Sequence, residues 1–361
     1  MENMDREKYI EKFRSIFTEY IFKKDDFDKL IFWGIGATTE TWWDDMIKAN
    51  LIPKYIIDSK KAHTNYKDFE LTDPKDLGDI HEYIIVIMTT NPYTYQEILS
   101  QIEQEDIKAK MVCSCSAIYY WNYRGRIINM LKELEDEVSL ISLVAMLEAR
   151  IEGRLIEENL VDHRQYFSLH RFSCLNPKEV YIDAGAFVGD TLERFLFEKF
   201  ATFDSYYAFE PLRKNYKALE YRVKRLEREW GIESKIICVN CGLDKISGEQ
   251  KILSVLPVSA QIETDIDKNK LEVIKTTSID EYFSNRRIST IKSDIEGKEM
   301  DMLKGAENSI KKWKPLLAIS IYHKPSDLFR IFELIKSYQA EYKISIRCHT
   351  ANGGDTILYA Y

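Results

Sequence analysis

Two runs in the second half of the chain end in side chains that can move protons or hold a cation. "KSDIEG" places Asp294 and Glu296 two residues apart where an apolar stretch stops, so both carboxylates face one side. "IYHKPSD" closes the next apolar stretch with His323, Lys324 and Asp327. Histidine beside carboxylates offers two chemistries. The imidazole is a general base oriented by an acid, with His323 the favoured base and Asp294 next to the reacting groups. Otherwise Asp294, Glu296 and His323 ligate Mg²⁺ or Mn²⁺ and acidify a bound hydroxyl. Plainer roles compete: Asp327 suits a helix cap, Glu296 before Gly297 suits a loop, and His323 suits a structural hydrogen bond.

A third run, "YIDAGAFVGDT" from Tyr181 to Thr191, reads as a buried strand stopping at an acid and turning on small residues. In an open α/β sheet ligands lie at the carboxyl ends of the strands, and Gly185 and Gly189 allow close backbone approach there. Asp183, Ala186, Asp190 and Thr191 complete the turn, the acids adding acceptors for a cationic or hydroxylated ligand. An acid at this position suits a pyrophosphate poorly. About twenty residues on, the second strand ends in Glu210, where a carboxylate accepts from ribose hydroxyls. A nucleoside with a positive charge fits these residues better than a dinucleotide.

The elements that must position these groups follow from periodicity. From Pro177 onward, strands at "VYIDAG", "SYYAFEP", "KIICVNCGL", "TTSI", "ISTIKSDIEG", "LLAISIYHK", "KISIRCH" and "TILYAY" alternate with helices, except the last two strands. That order predicts a mostly parallel sheet completed by an antiparallel edge pair. Before it, residues 117–165 repeat apolar side chains at helical spacing, a helical connector or an oligomer contact that leaves a homodimer open. Residues 1–116 read as a smaller parallel α/β domain built on "KLIFWGIGATTETWWDDMIKAN". Its turn departs from the dinucleotide fingerprint, since Thr39 stands where a third glycine belongs, although Asp58 is placed to take a ribose.

Composition narrows the classes. A chain of 361 residues with 45% hydrophobic content supports two or three cored domains. A net charge of -8 argues against a broad polyphosphate or nucleic-acid face. The basic helix "RKNYKALEYRVKRLERE" is interleaved with acids and reads as a solvated face. "YIIVIMTT" is too short to span a bilayer, and the charged start "MENMDREKYIEKF" lacks a signal core. The six cysteines, including the close pairs Cys113/Cys115 and Cys238/Cys241, are then reduced thiols in a cytoplasmic protein.

Four stretches in register, "YIDAGAFVGDT", "YYAFEPL", "IKSDIEGKEMDMLKGAENSI" and "SIYHKPSDLFRI", resemble the FkbM-type family of S-adenosylmethionine-dependent methyltransferases, over residues 166–361. The family's first motif often has Asn where Phe187 stands. The resemblance implies a Rossmann-like methyltransferase sheet that methylates a hydroxyl oxygen, commonly of a sugar. It places the methyl donor on Asp183, Gly185 and Gly189, its ribose on Glu210, and its adenine near Asn240 and Gly242. Methyl transfer from a sulfonium is an in-line displacement, so alignment and removal of the acceptor proton are the protein's tasks. Arg347 and His349, on alternate positions of the penultimate strand, are expected to join Lys324 and Asp327 at the acceptor, as partners for a sugar nucleotide diphosphate in surface-polysaccharide biosynthesis. Two alternatives stand beside this: methylation of an assembled glycan or lipid, and a nucleotide-binding protein with a degenerate methyltransferase half. A scaffold without turnover does not require the polar set at Asp183, Glu210, Asp294 and His323.

Overall fold

The computed structural model describes residues 4–253 and 271–361. The amino-terminal unit comprises α1 (Arg6–Ser15), β1 (Leu30–Trp33), α2 (Ala37–Lys48), β2 (Pro53–Ile57), β3 (Asn65–Tyr66), β4 (Phe69–Thr72), β5 (Ile84–Ile87), α3 (Pro92–Gln104) and β6 (Met111–Ser114). Its sheet runs β3-β4-β2-β1-β5-β6, all parallel except the short β3. The four strands expected from the apolar runs are there. The hairpin β3–β4 was not legible, because two residues of β3 carry no periodicity.

The connector forms α4 (Cys115–Asn122), α5 (Arg124–Glu133) and α6 (Glu137–Glu152). Helix α6 is apolar almost all round and buries residues on every face, as a helix enclosed by other elements must. It packs on β6 and α1 on one side and on the edge of the carboxy-terminal sheet on the other. The apolar surface that suggested an oligomer contact is therefore covered within the chain. One hydrophobic core runs from Phe13 and Trp42 through Leu143 and Met146 to Ile182, Ile291 and Phe329, so the two sheets share an interior.

The carboxy-terminal unit comprises α7 (His170–Ser173), β7 (Val180–Ala184), α8 (Asp190–Lys199), β8 (Ser205–Phe209), α9 (Arg213–Trp230), β9 (Ile236–Val239), β10 (Gly242–Leu243), β11 (Gly248–Leu253), β12 (Leu271–Thr277), α10 (Ile279–Phe283), β13 (Thr290–Ser293), α11 (Glu299–Lys304), α12 (Glu307–Trp313), β14 (Leu316–Ser320), α13 (Asp327–Tyr338), β15 (Ile344–Cys348) and β16 (Thr356–Ala360). Its main sheet runs β15-β16-β14-β13-β7-β8-β9, with β10, β12 and β11 in a separate small sheet. Only β16 opposes its neighbours, being slotted antiparallel between β14 and β15. The expected antiparallel edge pair is thus present, with β16 beside β14 and β15 as the edge. Bridges from Leu134 and Val161 flank that edge and cover it. No helix among the described residues is long and apolar enough to cross a membrane.

The central strands are buried on both faces, as a parallel sheet requires. In β7, Val180, Ile182 and Ala184 face the shared core, while Tyr181 and Asp183 face the layer under α8 and α9. Strand β13 pairs with β7 so that Lys292 lies opposite Asp183. Their side chains are 2% and 0% exposed and meet at 2.8 Å. The Tyr206 hydroxyl also donates to Asp183, at 2.5 Å. Breaking a buried pair from one side leaves an uncompensated charge and costs about 3–5 kcal/mol. Lys292→Met should lower unfolding free energy by that order in urea titration, while adding Asp183→Asn to it recovers part of the loss; equal stability of Lys292→Met and wild type would show that the pair carries no weight.

Candidate methyl-transfer site

The glycine turn closes on the strand next to it. Gly185 has φ of +80°, and a Cβ there would stand 1.9 Å from the Asp294 carbonyl oxygen. So this glycine admits the β13 turn, in addition to freeing the β7 turn. The backbone N–H groups of Gly185 and Ala186 donate to Phe209 O, and that of Phe187 donates to Glu210 Oε2. Gly189, at φ +87°, precedes α8 and gives its first turn no side-chain cap, leaving backbone donors near the carboxyl end of β7. Asp190 is exposed at the helix start, and Thr191 is buried behind it. Phe187 holds φ of +47°, a conformation that Asn tolerates better than Phe, and its ring is 48% exposed.

Asp183 departs from expectation. It is an acceptor for Lys292 and Tyr206 in the interior. Glu210 keeps the place expected of a ribose acid, at the carboxyl end of β8, 5% exposed. Burial pushes its carboxyl up to about 7, against the backbone donors of Leu212 and Phe187. The Asn240 amide donates to the Glu210 and Pro211 carbonyls, at 2.9 Å each, and so fixes the loop after β8. Gly242 lies in β10, packed near Pro211 and Ile274. Asn240 and Gly242 therefore lie beside the carboxyl end of β8, where the Asn240 amide holds the loop in place.

At the end of β13, Asp294 accepts from Tyr166 Oη at 2.7 Å and from Tyr322 Oη at 3.0 Å. Burial alone would raise its carboxyl, but Lys292, His323 and the two hydroxyls hold it below the usual range. His323, at 7% side-chain exposure, stands between three acids: Nδ1 is 3.1 Å from Glu299, and Nε2 is 3.3 Å from Asp294 and 3.5 Å from Glu296. Burial disfavours a charge on the ring, yet Glu299, then Asp294 and Glu296, outweigh it and raise His323 to about 9. Glu296 is well exposed at φ +54°, and with Gly297 makes the turn that carries Glu299 back to accept from Ile295 N–H. Asp294, Glu299 and His323 are the groups that could gather round a metal ion among the described residues. The ring presents a different nitrogen to each carboxylate, an arrangement suited to an imidazolium bridging two anions.

The residues assigned to the acceptor separate. Lys324 donates from Nζ to Gly297 O and binds the two turns together. Asp327 is 2% exposed, accepts from Lys324 N–H at 3.1 Å, and is raised to about 7 by burial and by Glu299. It serves the start of α13. Arg347 turns to the connector, 2.8 Å from Ser139 Oγ and 3.1 Å from Asp136. His349 points the other way into the interior, with Nδ1 on Asp162 O and Nε2 2.9 Å from Tyr359 Oη. Tyr359 Oη in turn accepts from Tyr166 N–H at 2.9 Å. So His349 braces the segment that delivers Tyr166, and the shared face read from alternation is broken by these two sets of partners. Sequence reasoning passed over Lys292, Glu299, Tyr166 and Tyr322. A single Lys in an apolar strand was the available signal; the two tyrosines, among 22 in the chain, had none.

The glycine turn, the buried acid one strand over, and the acid–histidine pair at the next strand ends meet at one edge of the sheet. Residues 183–342 fit the family model of the methyltransferase FkbM domain. Over that segment the chain is similar to an FkbM methyltransferase domain. Its fold is similar to the crystal structure of an FkbM methyltransferase from Methylobacillus flagellatus KT, with TM-score 0.59, 18% identity and 98% of each chain covered. An rRNA methylase from Streptococcus thermophilus overlaps 52% of this chain and 87% of its own, with TM-score 0.33 and 16% identity. A methyltransferase from Geobacter sulfurreducens overlaps 65% and 95%, with TM-score 0.31 and 15% identity. Overlaps that loose bear on neither fold nor substrate. No curated protein matches the sequence at a significant level.

A methyltransferase domain of this family implies S-adenosylmethionine, and the uncapped start of α8 with Glu210 beside it fits a nucleoside there. Ribose hydroxyls donate to a carboxylate and favour its ionised form. Because Glu210 titrates near 7 in the free protein, cofactor binding should release a proton and tighten as pH rises from 5.5 to 8. Calorimetry in buffers of different ionisation enthalpy reads the proton; an affinity independent of pH, or unaltered in its pH dependence by Glu210→Gln, would contradict this role.

Proposed function

We propose that the protein transfers a methyl group from S-adenosylmethionine to a hydroxyl of a sugar, acting in the cytoplasm on precursors of surface polysaccharide. The observation that carries this reading is the polar set around Asp294, where two tyrosine hydroxyls, His323 and Glu296 converge at the carboxyl ends of β13 and β14 beside the glycine turn. Groups of that kind alternate donors and acceptors, as recognition of a polyhydroxylated ring requires. S-adenosylmethionine, when bound, supplies an electrophilic methyl on a sulfonium. The chain's own residues orient the hydroxyl, exclude water and take its proton.

His323 is the base in this reading, with Asp294 fixing its ring and the acceptor oxygen. At neutral pH the three carboxylates keep the ring protonated. Deprotonated His323 therefore accumulates only as pH approaches 9, and the cofactor's positive charge beside the same carboxylates moves that midpoint down in the loaded enzyme. The cations expected to hold a diphosphate are committed elsewhere, Arg347 to Asp136 and Lys324 to Gly297. A nucleotide-linked sugar is the first acceptor to try, and free glycans are the second.

Mass spectrometry of nucleotide-linked sugars and glycans incubated with protein and S-adenosylmethionine tests the reaction. A methylated sugar, with turnover climbing on the alkaline side and surviving a chelator, is the expected result. His323→Ala should lose about 10²- to 10⁴-fold in kcat with the cofactor Kd unchanged. Normal turnover in that variant removes His323 from the mechanism. Loss of turnover with chelator shifts Asp294, Glu299 and His323 to metal ligation.

A further inference from the structure

We propose that Asp45, on α2 of the amino-terminal unit, is a positioning residue for the His323 loop, and that this unit serves methyl transfer through that contact. The inference rests on the reading that His323 lies at the reacting hydroxyl. Asp45 is 7% exposed on a helix face otherwise made of Thr39, Trp42, Trp43 and Met46. A carboxylate in that setting needs a partner. It has one 281 residues away: the Ser326 N–H donates to Asp45 Oδ2 at 3.1 Å.

Ser326 precedes α13 and makes no side-chain cap of its own. Asp45 therefore supplies from another unit the acceptor and the negative charge that a helix start favours. The loop it holds is short: His323 and Lys324, then Pro325, Ser326 and Asp327. Asp327 accepts from Lys324 N–H, and Lys324 Nζ donates to Gly297 O, so restraint at Ser326 reaches both catalytic turns. The ring of Tyr119 stacks on Phe329 at 6.4 Å, and Arg126 lies 4.1 Å over the same ring, so connector helices seat the first turn of α13 as Asp45 holds its start.

The acid and the threonine associated with the glycine turn before α2 are engaged within the chain. Asp58 accepts from Ile35 N–H at 2.9 Å and from Lys60 and Lys61 N–H at 3.0 and 3.1 Å. Thr39, in the place of the third glycine, donates from Oγ1 to Gly34 O at 2.8 Å. The fingerprint residues thus build a rigid start for the helix that carries Asp45.

The full-length protein is compared with Asp45→Ala, Asp45→Asn and Asp45→Ser by hydrogen–deuterium exchange over residues 321–330 and by calorimetric titration with S-adenosylmethionine. Asp45→Ala should speed exchange in that segment by about fivefold or more. Asn, which keeps a carbonyl acceptor, should restore most of the protection, and cofactor affinity should hold throughout. Ser, too short to reach, replaces Ala if the latter does not fold. With a methylated sugar in hand, Asp45→Ala should lower kcat by up to about a hundredfold at constant KM for the cofactor, with rescue by Asn. Unchanged exchange in Asp45→Ala, Asn no better than Ala, or a loss expressed in cofactor KM overturns the proposal. Absence of any methylated sugar would fail the acceptor assignment and leave the exchange result to decide the clamp.

Discussion

The buried ion pair between Lys292 and Asp183 is the constraint on which the site depends. Two charges in the middle of a parallel sheet are costly unless they meet, and the register of β7 against β13 places them opposite each other. The lysine does more than neutralise one acid. Its Nζ donates to Gly185 O at 2.8 Å and lies 5.1 Å from the centre of the Tyr166 ring. It is also the foremost influence that keeps Asp294 ionised against burial. One cation therefore fixes the glycine turn, the segment carrying Tyr166 and the charge state of the acid at the reacting centre. Displacing it would disturb all three together.

The same logic of charge balance explains His323. Three carboxylates crowd one imidazole, and without a positive ring they would repel each other at close range. Glu299 is fully buried, 3.1 Å from the ring's Nδ1, and also accepts from Ile295 N–H. A site arranged in this way keeps its imidazole protonated, held between carboxylates on both ring nitrogens. The raised basicity of the ring and the negative character of this strand edge then have a common origin in the surplus of carboxylate.

Much of this was readable from the chain, for reasons that differ by residue. Gly185, Gly189 and Glu210 were legible because strand, turn and acid follow in a fixed local order, and their positions depend on little else. Asp294 and His323 were legible because each ends an apolar run, and parallel strands deliver their carboxyl ends to one edge. Arg347 and His349 misled because alternation gives a face but no partner. The partners, Ser139 and Tyr359, lie 208 and 10 residues away in sequence. Asp183 misled for a similar reason, since a strand-end acid and a strand-interior acid look alike until the register is known. Tyr166 was illegible: its left-handed backbone, at φ +66°, is imposed by tertiary bonds that no local pattern encodes.

The amino-terminal unit shows where fingerprint reasoning stops. A glycine turn with an acid one strand over suits a ribose only when the carboxylate is free, and here Asp58 accepts from Ile35 N–H of the turn and from Lys60 and Lys61 N–H of its own loop. What such a turn always supplies is a rigid helix start, and α2 uses its rigidity to project Asp45 onto the other unit. The continuous core from Phe13 to Phe329 makes that possible, because a carboxylate can hold a backbone N–H across two units only if they cannot shift past each other. A separable domain with its own ligand would need a looser boundary. The interior that α6 fills excludes that looseness, so the two sheets are packed as one body.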